Sequence, residues 1–208
     1  MEQVEMNKEM KLSPHFTLGE LCKTSHKTAD KNIPSRVVIE NLKNLCENWL
    51  EDLRYSYNTL YKPTVTSSVV ERSPEISPCA SCVPLVASEQ SSSALSRDEK
   101  GHVISSAVEK SQRVDAPLII NSGYRSPEVN ELAGGSPTSN HLTGCAVDIR
   151  VSGFEQAIRY ASILLDISDG TKQEYDELFI ERNSAGRYWI HFAVRPKNNR
   201  RIIGFIQT

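Results

Sequence analysis

Apolar residues recur at three- and four-residue steps in the first third of the chain, directly after Pro34-Ser35. This spacing places the residues on one face of a helix, and a serine and a proline are typical of a helix start. Cys46 lies beside that face as a small core residue. The pattern predicts a long amphipathic helix whose core positions are Val38, Leu42, Leu45, Trp49 and Leu53.

A shorter helix is predicted upstream, where Thr17 and Glu20 have the spacing of a capping box. In this motif the threonine caps the first turn and the glutamate bonds back to the backbone of the threonine. Phe16, just before the cap, is placed to pack against the helix. We therefore expect a short helix through Leu21 and Cys22.

The last ninety residues alternate short apolar runs with turn residues. The sequence Leu118-Ile119-Ile120 predicts a buried strand, and Ser126-Pro127 predicts the start of a helix. A second strand is expected to end at Asp148-Ile149. A helix that stops at Asp169-Gly170 is predicted from the apolar positions Phe154, Ala157, Ile158, Ala161, Leu164 and Leu165.

Two further runs, 178–181 and 188–194, are rich in aromatic and β-branched residues and are separated by Asn183-Ser184-Ala185-Gly186. Such runs around a turn sequence predict a β-hairpin. His191 would then lie on a strand beside the one that carries Asp148.

The stretch 64–115 differs in composition, being rich in Ser, Val, Glu and Pro without a sustained period. It has too little apolar surface to offset the entropy of ordering, so we expect an inserted, flexible segment. The predicted organisation is a helical part (1–63), this insertion (64–115) and a core that carries the chemistry (116–208). Cys79 and Cys82 form a C-x-x-C within the insertion, but a structural zinc site needs a second pair, so two exposed thiols are the simpler interpretation.

Composition excludes some classes of function. A net charge of −2 over 208 residues gives no nucleic-acid footprint. No stretch approaches the roughly 20 apolar residues of a membrane span, and residues 1–5 lack the features of a signal peptide. Five cysteines, an odd and scattered set, indicate reduced thiols and synthesis in the cytosol.

The candidate chemistry centres on His141 and Asp148, seven residues apart with Gly144 between them. Imidazole and carboxylate are both ligands for divalent metals such as zinc, and the glycine would let the chain turn into a strand that carries the aspartate. A histidine–aspartate pair at this spacing is weak alone, because both side chains often only satisfy hydrogen bonds.

Three longer motifs strengthen the interpretation: GYRSPEVN (123–130), GGSPTSNHLTGCAVDI (134–149) and WIHF (189–192). Together they resemble the zinc D-alanyl-D-alanine carboxypeptidase family, and more closely its branch of phage and bacterial peptidoglycan peptidases. The N-terminal HFTLGEL (15–21) and the helix at 41–53 resemble that branch too, so the resemblance covers most of the chain outside the insertion.

The resemblance implies an α+β fold with a small antiparallel sheet flanked by helices, and Zn²⁺ held by His141, Asp148 and His191. Three protein ligands leave a fourth position for water, which is the pattern of a catalytic zinc. Arg125 would stabilise the carbonyl oxyanion or bind a terminal carboxylate, or else form only a surface ion pair.

Substrate contacts are implied for Tyr124 and Ser139, the latter two residues before the first ligand; simple loop capping is the alternative for Ser139. The general base is less clear. Family members often carry an acid three residues before the last ligand or a histidine two before it, and here those positions are Tyr188 and Trp189.

The nearest strand acid is Glu181, which a hairpin can bring beside His191. A glutamate there is common in the branch this chain most resembles. Asp176 and Glu177 are the fallback bases. If Glu181 only faces solvent at the end of the hairpin, the site has no base.

The functional expectation is a zinc peptidase of peptidoglycan stem peptides, either a D-Ala carboxypeptidase or an endopeptidase of the endolysin type. It would act on the cell wall after release at lysis or as part of a phage particle. The alternative is a non-catalytic cell-wall binder or phage structural protein with the same fold. The sequence leaves the cleaved bond, the host and the oligomeric state open.

Overall fold

The computed structural model describes residues 7–24, 31–61 and 116–208, which fall within one compact unit formed by Met1–Lys62 and Val114–Thr208. The predicted insertion at 64–115, with Cys79 and Cys82, lies outside the described residues. The helices of the described part are α1 (Leu18–Leu21), α2 (Arg36–Leu45), α3 (Glu51–Leu60), α4 (Pro127–Leu132) and α5 (Phe154–Thr171). The strands are β1 (Ile120–Ser122), β2 (Ala146–Arg150), β3 (Glu177–Arg182), β4 (Tyr188–Ala193) and β5 (Ile202–Gln207).

The two N-terminal helix predictions are confirmed. Thr17 and Glu20 form a complete capping box at the start of α1. Ser35 caps α2, which runs through a π-helical turn, Cys46–Leu50, directly into α3. The five predicted core positions of this long helix are buried, as is Cys46.

The described strands form one sheet in the order β1-β2-β4-β3-β5, so the α+β class is confirmed. The first four strands pair antiparallel, as expected. The fifth, β5, was not predicted and pairs parallel to β3. The first strand begins at Ile120, two residues later than the pattern predicted, with an irregularity in its pairing with β2.

Alternation along the strands divides the sheet into two faces. Ile149, Ile190 and Phe192 are fully buried on the face that packs against the helices, where the Trp49 and Phe192 ring centroids are 5.0 Å apart. Asp148 and His191 occur between these apolar positions and therefore point to the opposite face. The hydrophobic core therefore covers one face of the sheet, and the candidate ligands lie on the opposite face.

The predicted apolar face of α5 was partly wrong. Phe154 and Ile158 are 45% and 48% exposed, whereas Tyr160 and Ile163 are buried. The buried face of the helix is therefore turned away from the predicted one, and it includes Tyr160, which packs edge-on against Tyr57 of α3 with ring centroids 4.8 Å apart. The helix also continues one residue past Gly170, to Thr171. Across the described ranges, no helix has the length and apolar character needed to cross a bilayer.

Candidate metal centre and active site

His141 is presented by a short 3₁₀ turn, Asn140–Thr143. The side chain of Ser139 caps this turn and accepts a hydrogen bond from the His141 amide at 3.3 Å. The turn ends at Gly144, whose φ of +70° reverses the chain towards β2. A Cβ at Gly144 would lie 2.8 Å from the carbonyl oxygen of Val38, so this turn is built against α2.

A backbone carbonyl fixes the orientation of the His141 ring. The Nδ1 atom lies 2.5 Å from the oxygen of Gly123. Because a carbonyl only accepts, Nδ1 carries the proton and Nε2 keeps its lone pair. Gly123 itself packs against the end of α1, where a Cβ would lie 2.3 Å from the carbonyl oxygen of Leu21.

Asp148 and His191 are directly opposite each other on β2 and β4. The Oδ1 atom of Asp148 lies 3.0 Å from His191 Nδ1 and 3.3 Å from His141 Nε2. The exposed fraction of the side chain is 3% for His141, 10% for Asp148 and 12% for His191. One potential ligand atom from each lies within 4.8 Å of the others. The hairpin and the histidine turn therefore bring the three predicted ligands together.

This donor set fits a divalent metal such as zinc. It offers two imidazole nitrogens and one carboxylate oxygen, each held by a partner behind it. Although burial opposes ionisation of Asp148, the two histidines keep the pKa of its carboxyl far below the usual range. Burial also disfavours the charged form of His191, but hydrogen bonds to Asp148 and Glu177 raise the pKa of this imidazole to about 9. A bound cation would take the place of that proton.

Arg125 is held against the cluster. Its guanidinium pairs with Asp148 Oδ2, while its Nε donates to Ser122 Oγ at 2.8 Å. The carboxylate of Asp148 is therefore divided, with Oδ1 towards the histidines and Oδ2 towards Arg125. The ion pair expected as the alternative role of Arg125 is present, but it is made with a predicted ligand inside the site. Its role towards substrate stays a prediction.

Glu181 lies opposite Trp189 in the hairpin, diagonal to His191 on the same face of the sheet. Diagonal neighbours across antiparallel strands are about 7–8 Å apart, which leaves room for small groups between their side chains. Burial raises the pKa of the Glu181 carboxyl above its usual value.

The fallback bases are engaged elsewhere. Asp176 is fully buried, bonded to Asn140, Arg195 and Arg200. Burial opposes its ionisation, yet hydrogen bonds from Arg200 and Asn140 lower the pKa of Asp176 to about 2. Glu177 is also bonded to Asn140 and Arg200 and lies 3.4 Å from His191 Nε2.

Besides Arg125, the two other predicted substrate residues differ in accessibility. Ser139 is partly exposed and caps the histidine turn. Tyr124 is 7% exposed and belongs to the hydrophobic core, with its amide donating to the Leu21 carbonyl at 2.7 Å. Substrate contact stays a prediction for both.

Sequence reasoning missed three residues beside the cluster: Asn140, Arg200 and Phe179. The Phe179 ring stacks on His191, with centroids 5.9 Å apart and 17° between the planes. Asn140 could have been suspected as the neighbour of His141. Arg200 had no local signal, because its contact depends on the unpredicted approach of the chain to β5.

An open groove of about 880 Å³ lies at the end of the sheet beyond the cluster. Arg150 and Trp189, two residues along the strands from Asp148 and His191, are among the residues that line it. Asn183 and Arg187 of the hairpin turn also line it. The residues that line the groove do not include the three proposed ligands, Arg125 or Glu181, so the groove and the cluster have separate walls.

A family model for peptidase M15 matches residues 86–177. The matched stretch contains Arg125, His141 and Asp148, begins inside the predicted insertion and ends before Glu181 and His191. No curated protein matches the chain.

Proposed function

We propose that this protein has the activity that its match to peptidase M15, a zinc D-Ala-D-Ala carboxypeptidase-like family, suggests. The protein is a zinc-dependent peptidase that hydrolyses peptide bonds in the stem peptides of bacterial peptidoglycan. The observation that carries the proposal is the convergence of His141, Asp148 and His191 within 4.8 Å, on the sheet face that also bears Glu181.

In this proposal His141 Nε2, His191 Nδ1 and Asp148 Oδ1 hold the zinc. A Zn²⁺ held there would polarise the scissile carbonyl and lower the pKa of a bound water towards about 7. The remaining steps belong to the side chains of the protein.

Glu181 is the general base. Its carboxylate takes the proton from the attacking water and then transfers it to the leaving amine. Partial burial supports this role, because a carboxyl with a raised pKa both accepts and returns a proton more readily at neutral pH. Asp176 and Glu177 are less suited, since arginines and Asn140 already occupy their oxygens.

Arg125 acts on the substrate with the guanidinium N–H groups that its bonds to Asp148 and Ser122 leave over. An arginine has five such donors, and these two partners use only part of them. The remaining donors bind the oxygen on which negative charge develops, or the terminal carboxylate of the peptide.

The proposed site of action is the cell wall. A phage protein released at lysis or carried by the virion agrees with the motif resemblance, whereas the M15 match supports only the broader family. The proposal covers both terminal D-Ala removal and internal stem-peptide cleavage.

The test is digestion of purified peptidoglycan, with mass spectrometry of the released products. We expect new amino termini or free D-alanine, loss of activity with a chelator, and recovery with Zn²⁺. The matched control is Glu181→Gln, which retains the three proposed ligands and should keep its zinc but lose most of the activity. If the zinc-loaded protein binds peptidoglycan but releases nothing, the non-catalytic alternative is correct and this proposal is wrong.

A further inference from the structure

Behind His191 lies a second polar cluster formed by Glu177, Asn140, Arg200 and Asp176. The Asn140 amide nitrogen donates to Asp176 Oδ2 and to Glu177 Oε2, both at 2.9 Å. The guanidinium of Arg200 bonds to the same two carboxylates. These contacts leave the Glu177 side chain only 19% exposed and hold it in one orientation.

Glu177 is directed at the far side of the His191 ring. Its Oε2 is 3.4 Å from His191 Nε2, whereas Nδ1 of the same ring faces Asp148 at 3.0 Å. The two nitrogens therefore have different partners. A neutral imidazole carries one proton, and the acceptor on one nitrogen decides which nitrogen is free to bind a metal.

We propose that Glu177 is a positioning residue for the metal centre: it keeps the proton of His191 on Nε2 and so presents Nδ1 to the cation. Asn140 and Arg200 in turn hold Glu177. This inference rests on the proposed function, because it presupposes a metal at the His141–Asp148–His191 cluster.

Asn140 also links the two histidines. It precedes His141 in the 3₁₀ turn, and its side chain reaches the start of β3, where Glu177 lies. A shift of the turn would therefore move Glu177, and through it the His191 ring. The positions of the two imidazoles are therefore linked through Asn140 and Glu177 before any cation binds.

Glu177 is better suited to this role than to proton transfer. Oε1 bonds to Arg200, while Oε2 accepts from Asn140 and faces His191. A base must have a free oxygen directed at the attacking water. The Phe179 ring stacks on the His191 ring and limits its tilt, so the main motion left to the imidazole is a flip about its own axis. The contact with Glu177 opposes this flip.

The test measures zinc affinity by competition with a chromophoric chelator, without any substrate. Glu177→Ala should weaken zinc binding by about 10–100-fold, the usual effect of removing an outer partner of a ligand histidine. Glu177→Gln keeps a carbonyl acceptor for Nε2–H and should stay within about threefold of the wild type. Glu174→Ala is the matched control on the adjacent surface, and Glu181→Gln should also leave affinity unchanged.

Arg200 provides a second test at one remove. Arg200→Ala should weaken zinc binding less than Glu177→Ala, and Arg201→Ala should not weaken it at all. Arg201 pairs instead with Asp169 and Glu174, away from the cluster. Melting of each metal-free variant identifies any that fail to fold.

The ring itself gives a spectroscopic readout. In zinc-loaded protein with ¹⁵N-labelled histidine, the wild type and Glu177→Gln should show His191 protonated at Nε2 alone. Glu177→Ala should show a second population in which Nε2 binds zinc and Nδ1 carries the proton. Wild-type affinity in folded Glu177→Ala would overturn the positioning role alone. Failure of the wild type to bind zinc at this cluster would overturn the proposed function as well.

Discussion

Asp148 and His191 face each other across β2 and β4, with Asp148 Oδ1 3.0 Å from His191 Nδ1. This register aligns a ligand from the histidine–aspartate motif with one that lies 43 residues further along the chain. A slip of one residue would turn one of the two side chains towards the helices. The buried apolar residues on the other face of the same strands therefore also fix the geometry of the site.

The three proposed ligands should act as one set. We expect His141→Ala, Asp148→Ala and His191→Ala each to lose zinc and peptidase activity together, because two remaining ligands hold the ion poorly. Metal analysis after dialysis measures the loss. Full zinc occupancy in all three variants would show that the ligand assignment is wrong.

Glu181→Gln should separate chemistry from metal binding. The amide preserves shape but cannot accept a proton, so kcat should fall by about 10²–10⁴-fold, while zinc content stays near that of the wild type. KM should change far less than kcat. Normal turnover in Glu181→Gln together with an inactive Asp176→Asn would move the base by a few residues.

The sequence predicted those parts of the fold that local pattern determines. The face of α2 and α3 was correct because Val38 to Leu53 form an uninterrupted helical stripe. The hairpin that brings His191 to Asp148 was correct because aromatic and β-branched runs surround a clear turn.

Non-local contacts were missed. Parallel pairing of β5 with β3 leaves no local signature, and without it the position of Arg200 beside Glu177 could not be inferred. The exposure of Phe154 depends on which of several apolar residues packs against α3. The ring nitrogen of His191 that faces Asp148 also follows from tertiary contacts alone.

The buried cysteines of the core should be protected from alkylating reagents in the native protein. Cys22 is 5% exposed, and burial raises the pKa of its thiol to about 12. At pH 8 only roughly one part in ten thousand is then thiolate, the reactive form. Brief iodoacetamide treatment should leave Cys22, Cys46 and Cys145 unmodified in native protein and modify them in urea, as read by peptide mass spectrometry. Rapid native labelling of Cys22 would contradict its burial.

Gly144 should tolerate alanine poorly. Its φ is +70°, and a Cβ would lie 2.8 Å from both the carbonyl oxygen and the Cγ1 of Val38. Strain of this kind costs about 1–3 kcal/mol, so urea midpoints should fall and zinc affinity should drop with the displaced turn.

Two other glycines separate the effect of a positive φ at Gly144 from the effect of the clash with Val38. Gly134 has a φ of +69° with open space around it, so Gly134→Ala reports backbone strain without a clash. Gly170 lies in α5 with open space, so Gly170→Ala should be neutral or stabilising by about 0.4–1 kcal/mol. Equal stability of Gly144→Ala and Gly170→Ala would contradict the proposed packing of the histidine turn.

The segment between the two halves of the compact unit should be dispensable for the metal centre. Asn58 at the end of α3 bonds to Ala116 at both the amide (3.0 Å) and the carbonyl (3.1 Å), so the two flanks of the segment meet at one place. The proposed ligands and Glu181 all lie beyond it. Replacing residues 67–113 with a short Gly/Ser linker should therefore preserve fold and zinc stoichiometry, since closure cost changes slowly with loop length.

Asn58→Ala within the shortened chain tests the reason. Loss of the paired bonds to Ala116 should lower stability by about 1 kcal/mol, because partly buried backbone groups are left without a protein partner. Cys79→Ser with Cys82→Ser in the full chain should likewise leave zinc content unchanged. An insoluble or zinc-free shortened protein would instead show that the segment forms part of the core, in line with the start of the family match at residue 86.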